Sequence, residues 1–303
     1  MESRRKNNKI IVILGPTSSG KSSVAIKLAQ KFNGEIISAD SRQIYRSLDI
    51  GTGKVTKDEQ LLVKHYMIDI VSPKTNFSAA QFKKKADKII ADILKREKLP
   101  IICGGTGFWI KALVDDVIYP EVKPNWKLRE KLKDKSIEEL FALLQKLDLT
   151  RAKNIDAKNP VRLIRAIEIC ETLGKVPHSV IRSSNTNFDF LQIGISLPKE
   201  KLHENIKKRL KQRFDEGMVS EVKRLHKKNK ISWEKMESFG LGYFWIAKFL
   251  QKQLSQNELF EKVYQAEKDY AKRQLTWFGK DQRIFWLENY SIIERKVKNF
   301  LQF

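Results

Sequence analysis

An octapeptide close to the start of the chain constrains the fold more than any other segment: Gly15-Pro16-Thr17-Ser18-Ser19-Gly20-Lys21-Ser22. It matches G-x-x-x-x-G-K-[ST], the pattern of a phosphate-binding loop between a buried strand and a helix. The apolar run 9–14 predicts that strand, and the apolar spacing within 22–32 predicts that helix. Backbone N–H groups in such a loop, together with the helix N-terminus, bind phosphate oxygens. The motif therefore predicts a polyphosphate site, with Lys21 at the distal phosphate and the Ser22 hydroxyl on Mg²⁺.

The composition indicates a globular protein without a membrane span or a disulfide framework. The chain has 303 residues, 41% of them hydrophobic, which is enough for one large or two modest domains. No apolar run reaches the roughly 20 residues that span a bilayer, and the basic N-terminal segment does not read as a signal peptide. Cys103 and Cys170 are far apart and the four histidines are scattered, so neither a disulfide nor a zinc site is expected. We expect a cytoplasmic protein.

The net charge is strongly positive. Lysine and arginine total 59 against 36 aspartate and glutamate residues, which gives +23. A surplus of this size favours a polyanionic partner such as a nucleic acid, with salt-sensitive binding. A lysine-rich proteome with solvated basic faces is the alternative, and charge alone does not separate the two.

Strand and helix patterns alternate in the first part of the chain, as in a parallel sheet covered by helices. Strands are predicted at 9–14, 35–39, 65–71, 100–103, 191–197 and 284–287. Core helices are predicted at 21–32, 78–96, 106–114, 199–216, 218–228, 242–251 and 255–278. Between 120 and 188 the strand signal vanishes and helices are predicted at 126–133, 136–147 and 159–173. The fold prediction is α/β: a P-loop NTPase-like parallel sheet core flanked by helices (1–119 and 189–303) with an all-helical insertion domain (120–188).

Two polar positions follow predicted strands, where ligands bind in open α/β folds. Asp40 follows the second strand and is interpreted as a Mg²⁺ ligand, a general base or a helix cap. Thr106 follows the Gly104-Gly105 pair and either caps the next helix or touches the ligand. No aspartate follows the fourth strand as a Walker-B residue would, and Asp69 lies within its predicted strand rather than past it. This weakens the case for a motor or switch NTPase.

Basic and aromatic side chains alternate near the end of the last long predicted helix. Lys272 and Arg273 stand close to Tyr270, Trp277 and Phe278. Such a mixture suits RNA phosphates and splayed bases. For Tyr270 and Trp277, the alternative is a place in the core of an amphipathic helix.

Taken together, the motifs resemble the family of tRNA dimethylallyltransferases, also called IPP transferases, in its bacterial form without a C-terminal zinc finger. The resemblance spans almost the whole chain in the right order. It rests on the segments 15–22, 40–45 with 49–54, 104–107, 159–168, Arg209 with Gly217 and Glu221-Val222, and 272–278. The chain departs from the family pattern at Ser47, Leu48 and Trp109, and at Phe244, where many relatives carry a basic or polar residue.

The resemblance implies a function. The enzyme would move a dimethylallyl group from dimethylallyl diphosphate to N6 of the adenosine 3′-adjacent to the anticodon, in tRNAs that read codons beginning with U. The implied catalytic residues are Asp40 as base, with Thr106, Arg209 and Lys21 at the diphosphate, which 15–22 would bind with Mg²⁺ on Ser22. The implied tRNA contacts are Asp40, Ser41, Arg42, Gln43, Arg129, Arg162, Arg165, Gly242, Tyr243, Lys272, Arg273, Gln274 and Trp277.

Two other functions share the phosphate-binding loop. A small-molecule or nucleotide kinase would need an adenine pocket and a phosphate acceptor, and a non-catalytic RNA-binding ATPase would need the missing Walker-B aspartate. The expected partners are the anticodon stem-loop of tRNA and dimethylallyl diphosphate. We expect a monomer that does not bind membranes.

Overall fold

The computed structural model describes residues 8–177 and 188–302. Residues 1–7, most of the basic N-terminal segment, and residues 178–187 of the predicted insertion lie outside this part. The chain divides into two compact units. The larger is formed by Met1–Val114 and Thr186–Phe303, and the smaller by Asp115–Asn185.

One parallel sheet lies at the centre of the larger unit. Its strands are β1 (Lys9–Leu14), β2 (Gly34–Ser38), β3 (His65–Tyr66), β4 (Leu99–Gly104), β5 (Asp189–Ile195) and β6 (Ile284–Leu287). The spatial order is β3-β2-β4-β1-β5-β6, and every neighbouring pair is parallel. The strand that precedes the phosphate-binding motif is therefore central, and the predicted parallel sheet core is confirmed.

Helices account for most of the remaining described residues. In chain order they are α1 (Lys21–Lys31), α2 (Lys57–Leu62), α3 (Ala79–Lys95), α4 (Gly107–Val114), α5 (Trp126–Leu132), α6 (Ile137–Leu147), α7 (Leu149–Lys153), α8 (Pro160–Leu173), α9 (Lys199–Asp215), α10 (Met218–Lys227), α11 (Trp233–Ser238), α12 (Leu241–Leu250), α13 (Gln256–Phe278) and α14 (Tyr290–Gln302). Within residues 8–177 and 188–302, none of them has the length and apolarity that a bilayer crossing requires.

The sheet is buried on both faces, as the apolar run of β1 requires. Ile10, Val12 and Leu14 belong to one hydrophobic cluster, and Ile11 and Ile13 belong to the other. Successive side chains of a strand point to opposite faces, so helices must cover both. Each of these fully buried side chains contributes about 1.5–3 kcal/mol relative to an exposed position.

The strand predicted at 65–71 is wrong beyond its first two residues. Met67 and Asp69 have φ of 65° and 56°, a left-handed conformation that ends the strand, and Val71 forms only an isolated bridge with Tyr45. Asp69 therefore follows β3 rather than lying inside it. Its carboxylate forms an ion pair with Lys54 at 2.5 Å, so it ties two loops together.

Four short or late helices were not predicted from the sequence: α2, α7, α11 and α14. The first begins with a capping box between Thr56 and Glu59, a sequence signal that was available. In α14, Ile293 and Val297 stand four residues apart and are fully buried against the sheet. The capping box of α2 and the apolar spacing of α14 each involve only two residues. Signals of this length are less evident in a sequence than the long apolar periods of the other helices.

The smaller unit has its own apolar core, and its described residues, 115–177, contain helices and no strand. A buried carboxylate, Glu168 of α8, accepts hydrogen bonds from Arg129, Arg165 and the Asn125 backbone N–H. Burial alone would raise the pKa of Glu168, but these donors outweigh it and the pKa is lowered. The cluster therefore joins α5 to α8 through charge.

Replacing Arg129 by alanine is expected to destabilise the smaller unit by about 3 kcal/mol, because it leaves a buried carboxylate with fewer partners. Local unfolding free energies from hydrogen exchange of α5 and α8 would measure this. Lys127→Ala, an exposed change in the same helix, serves as control. Equal protection in both variants would show that the ion pair adds nothing.

Candidate active site at the carboxyl ends of the strands

A pocket of about 300 Å³ opens in the larger unit where three neighbouring strands end. The loops after β1, β2 and β4 meet there, because β4 pairs with both β1 and β2. Helices α9 and α13 complete the wall. The charged lining residues are Lys21, Asp40, Arg42, Arg209, Arg213, Glu267 and Arg273, with His65 beside them. Cationic side chains thus outnumber carboxylates around the pocket, which favours an anionic ligand.

The phosphate-binding loop has the backbone conformation that its sequence predicts. Ser18 and Gly20 have φ of 60° and 87°, and Gly20 leads directly into α1. The Ser18 and Ser19 hydroxyl oxygens are buried and form no hydrogen bond with the described residues. Buried polar atoms are normally paired, so these hydroxyls are consistent with a site that a ligand completes.

Lys21 lies within the pocket and donates a hydrogen bond from Nζ to the Pro16 carbonyl at 3.0 Å. Burial is the main reason why the pKa of Lys21 lies below the ordinary lysine value, and the Arg209 charge acts in the same direction. A bound anion would raise that pKa again, so the lysine is electrostatically suited to bind phosphate.

Asp40 both caps a turn and faces the pocket. Its Oδ1 accepts the Arg42 N–H at 2.8 Å and the Gln43 N–H at 3.4 Å. Its Oδ2 accepts no hydrogen bond from any part of the chain that the structure describes. The cap interpretation is therefore correct for one oxygen, while the other is available to a substrate.

Thr106 connects the Gly104-Gly105 loop to the Asp40 loop. Its Oγ1 accepts the Ser41 N–H at 3.0 Å and donates a long hydrogen bond of 3.4 Å to the Ser41 hydroxyl. Tyr270 lies beside Thr106, and burial raises the pKa of the Tyr270 hydroxyl. Tyr270 therefore lies inside the site wall.

Two arginines of α9 enter the pocket. Arg209 donates from Nη2 to the Gly53 carbonyl at 2.7 Å and forms no ion pair among the described residues. Burial and the neighbouring Arg213 lower the pKa of Arg209. Arg213 instead forms an ion pair with Glu267 at 2.5 Å. Removing a cation from water without a neighbouring anion costs free energy, so the position of Arg209 favours the binding of an anionic ligand.

The oxygen donors at the phosphate-binding loop fit a magnesium ion that shares its ligands with a substrate. Ser22 and Asp40 both line the pocket, and no cluster of three or more acidic, histidine or cysteine side chains occurs in the described residues. Mg²⁺ commonly uses one or two protein oxygens together with substrate phosphates and water.

Cys103 lies next to Ser22, and burial raises the pKa of its thiol to about 11.

Three of the predicted tRNA contacts lie inside the protein. Tyr243 is 2% exposed and donates to Glu221, and Gly242 packs against the Met218 side chain. Gln274 accepts the Thr17 N–H at 2.8 Å and donates to the Gly105 carbonyl at 2.9 Å. The side chain thus joins the phosphate-binding loop to the second glycine loop. Burial and internal hydrogen bonds give these residues a structural role, and Tyr243 and Gln274 also line the pocket, so their contact with tRNA stays a prediction.

The other predicted contacts differ in accessibility. Ser41, Arg42 and Gln43 line the pocket together with Arg273. Lys272 and Trp277 are exposed, and Trp277 is 41% exposed, so the core alternative is wrong for this ring. In the smaller unit, Arg162 has an exposed side chain with a 3.4 Å contact to Asp156. Arg129 and Arg165 are already engaged by Glu168.

Sequence reasoning assigned no role to the buried acids Glu221 and Glu267 or to the second arginine, Arg213. These charged residues stand at apolar-face positions of α9, α10 and α13, a pattern that could have marked them as buried. The partners that compensate their charges come from distant parts of the chain and could not be identified from spacing.

Comparison with known proteins agrees with this arrangement. The sequence profile of the IPP transferase family matches residues 43–281. The tRNA dimethylallyltransferase of Acetivibrio thermocellus is 40% identical over 96% of both chains, and that of Leuconostoc mesenteroides is 42% identical over 89% of both.

Solved structures give the same result. A tRNA isopentenylpyrophosphate transferase of Staphylococcus epidermidis superimposes with a TM-score of 0.71 at 36% identity, covering 97% of this chain and 99% of that one. A eukaryotic dimethylallyltransferase acting on tRNA gives a TM-score of 0.80 at 27% identity, covering 93% and 74%. Sequence, sheet topology and the phosphate-binding loop lead to one conclusion: the chain belongs to the IPP transferase family.

Proposed function

We propose that the protein transfers a dimethylallyl group from dimethylallyl diphosphate to N6 of the adenosine 3′-adjacent to the anticodon of tRNA. The acceptors would be tRNAs that read codons beginning with U. The observation that carries the proposal is the pairing of two features in one pocket. Lys21 and Arg209 form a cationic end in which neither side chain is ion-paired with a carboxylate of the described residues, and Asp40 presents a free oxygen to the same space. The relatives' names give the chemistry that these features support.

The cationic end suits a leaving diphosphate. During transfer, the C–O bond of the donor breaks and negative charge grows on the diphosphate. Lys21, Arg209 and the loop N–H groups would stabilise this charge in a water-poor pocket, where such stabilisation is strongest. When bound at the Ser22 hydroxyl, Mg²⁺ would supply further Lewis-acid stabilisation of the phosphate oxygens.

The free oxygen of Asp40 suits the acceptor. It would accept a hydrogen bond from the exocyclic amine of the adenine and take its proton as the new C–N bond forms. The base must leave its stack to enter the pocket, as in other enzymes that modify bases. Thr106 holds the Asp40 loop through Ser41, so it would also help to position the acceptor.

Family membership favours transfer to tRNA over the kinase alternative, and a direct assay separates them. Unmodified bacterial tRNA is incubated with Mg²⁺ and either dimethylallyl diphosphate or ATP, and the nucleosides are analysed by mass spectrometry. We expect a prenylated adenosine with the diphosphate donor. ATP turnover without prenyl transfer would contradict the proposal and support a kinase or ATPase. Size-exclusion chromatography of the active protein tests the proposed monomer.

Binding of tRNA is expected to depend on salt concentration. In the smaller unit, Arg162 is the predicted contact to test, because its side chain is exposed and its removal should not disturb the core. The slope of log K against log salt is negative, and each lost phosphate contact should make it shallower by roughly one unit or less. We therefore expect Arg162→Ala to weaken tRNA binding and reduce this slope while donor affinity stays unchanged. Fluorescence anisotropy at several salt concentrations would measure it. Lys85→Ala, an exposed change on α3, is the charge-matched control. Identical slopes in both variants would remove Arg162 from the RNA contacts.

A further inference from the structure

We propose that Glu221, a buried residue of α10, is a positioning residue for the donor site: it holds the loop 49–53, whose carbonyl groups orient Arg209 and Arg213. This inference rests on the proposed function, because it assigns Glu221 a role in binding the donor diphosphate. The argument has three steps, which concern the carboxylate, the loop and the two guanidinium groups.

The Glu221 carboxylate is fully satisfied by neutral donors. Its Oε2 accepts the N–H groups of Asp49 at 2.9 Å and Ile50 at 2.8 Å. Its Oε1 accepts the Gly51 N–H at 3.1 Å and the Tyr243 hydroxyl at 2.7 Å. The residue is 1% exposed, and no lysine or arginine of the described chain forms an ion pair with it. Three successive N–H groups thus form a small anion-binding concavity for a side chain of the protein itself.

The opposite edge of the same loop contacts the arginines. The Gly53 carbonyl accepts from Arg209 at 2.7 Å, and the Gly51 carbonyl accepts from Arg213 Nη1 at 3.0 Å. A Cβ on Gly53 would lie 2.3 Å from Arg209 Nη2, so the guanidinium packs directly on the backbone. Gly53 also has a φ of 56°, which glycine adopts without strain. A shift of this loop would therefore move both guanidinium groups.

Lys54 forms a second set of contacts with this loop, which hold the loop through carbonyl and carboxylate oxygens and not through its N–H groups. Lys54 Nζ contacts the Tyr45 carbonyl at 2.9 Å and the carboxylates of Asp49 and Asp69 at 2.6 and 2.5 Å. Among the described residues, Glu221 is the side chain that accepts from the peptide N–H groups at 49–51. Its negative charge also strengthens the hydrogen bonds along the loop, since linked hydrogen bonds polarise one another.

The test is Glu221→Gln, compared with Glu35→Gln as a matched control. Glutamine places an N–H₂ group against N–H donors, so at least one hydrogen bond is lost and the loop shifts. Glu35 is also a buried glutamate of the larger unit, but it does not line the pocket, and its carboxylate is bound by Arg96, Lys98 and Tyr66. We expect both variants to lose thermal stability. Only Glu221→Gln should raise KM for dimethylallyl diphosphate, by about 10- to 100-fold, with KM for tRNA unchanged.

A double variant identifies the route. If Glu221 acts on the donor through Arg209, Glu221→Gln combined with Arg209→Ala should impair donor use no more than Arg209→Ala alone. Additive losses, or an unchanged donor KM in Glu221→Gln, would overturn the inference. Should Glu221→Gln fail to fold, Glu221→Asp, which withdraws the carboxylate by one methylene, is judged by the same criteria. Transfer by the wild-type protein is the reference. Its absence would refute the proposed function, whereas its presence with an unaffected variant refutes only the role of Glu221.

Discussion

Asp40→Asn is expected to lower kcat for prenyl transfer by about 10²–10⁴-fold, the range typical for loss of a general base. Asparagine keeps an oxygen that can accept the N–H groups of Arg42 and Gln43, so the turn and the fold should survive. It cannot take a proton from the adenine amine. Single-turnover assays with saturating tRNA and donor would measure the loss at the chemical step.

The same variant separates the two interpretations of this carboxylate. If Asp40 served only as a cap, asparagine would support transfer at nearly the wild-type rate and alanine would lower stability. If Asp40 is the base, both changes lower the transfer rate by about 10²–10⁴-fold, and only alanine lowers stability. Asp58→Ala, an exposed acidic change in α2, controls for the altered net charge. Wild-type rates in the asparagine variant would exclude the base.

Arg209→Ala is expected to reduce kcat/KM for dimethylallyl diphosphate by about 10²–10³-fold, as does the loss of one preorganised donor to a developing oxyanion. The guanidinium is half-buried, forms no ion pair with any carboxylate in 8–177 and 188–302, and lies in the pocket with Lys21. Removal should also stabilise the protein without ligand, because a partly desolvated cation without a neighbouring anion disappears. Steady-state kinetics would measure the loss of kcat/KM, and thermal melts would measure the gain in stability of the protein without ligand.

Lys211 supplies the matched control for this prediction. It belongs to the same helix, carries the same charge and is exposed. Lys211→Ala should leave donor kinetics unchanged and shift stability little. Equal donor kinetics in the two variants would show that Arg209 does not contact the diphosphate.

Local sequence patterns were sufficient for the framework of the site. The buried run of β1 and the glycine spacing after it predicted a strand, a loop and a helix, which the structure places as expected. Asp40 and Thr106 were located from strand ends alone, because parallel strands deliver their carboxyl ends to one edge. The spacing of apolar residues and the position of a polar residue after a strand can both be recognised within a few residues of sequence.

Long-range pairing was not predictable in this way. The resemblance implied tRNA contacts for Tyr243 and Gln274 and gave no internal partner for either, yet Tyr243 donates to Glu221 and Gln274 accepts from Thr17, 257 residues earlier. The same applies to Glu221, whose loop partners lie about 170 residues earlier. A single sequence shows that a charged side chain lies on an apolar helix face, but the compensating group is set by tertiary packing.

The hydrogen bonds of Gln274 have a consequence for the order in which the site can form. The loop at Thr17 and the carbonyl of Gly105 are synthesised early, whereas Gln274 and Arg209 emerge from the ribosome much later. A nascent chain that ends before α13 has the phosphate-binding motif but lacks the clamp between its two glycine loops. Donor binding is therefore tied to near-complete synthesis, and truncated chains that stop before Gln274 should be unable to sequester the prenyl diphosphate.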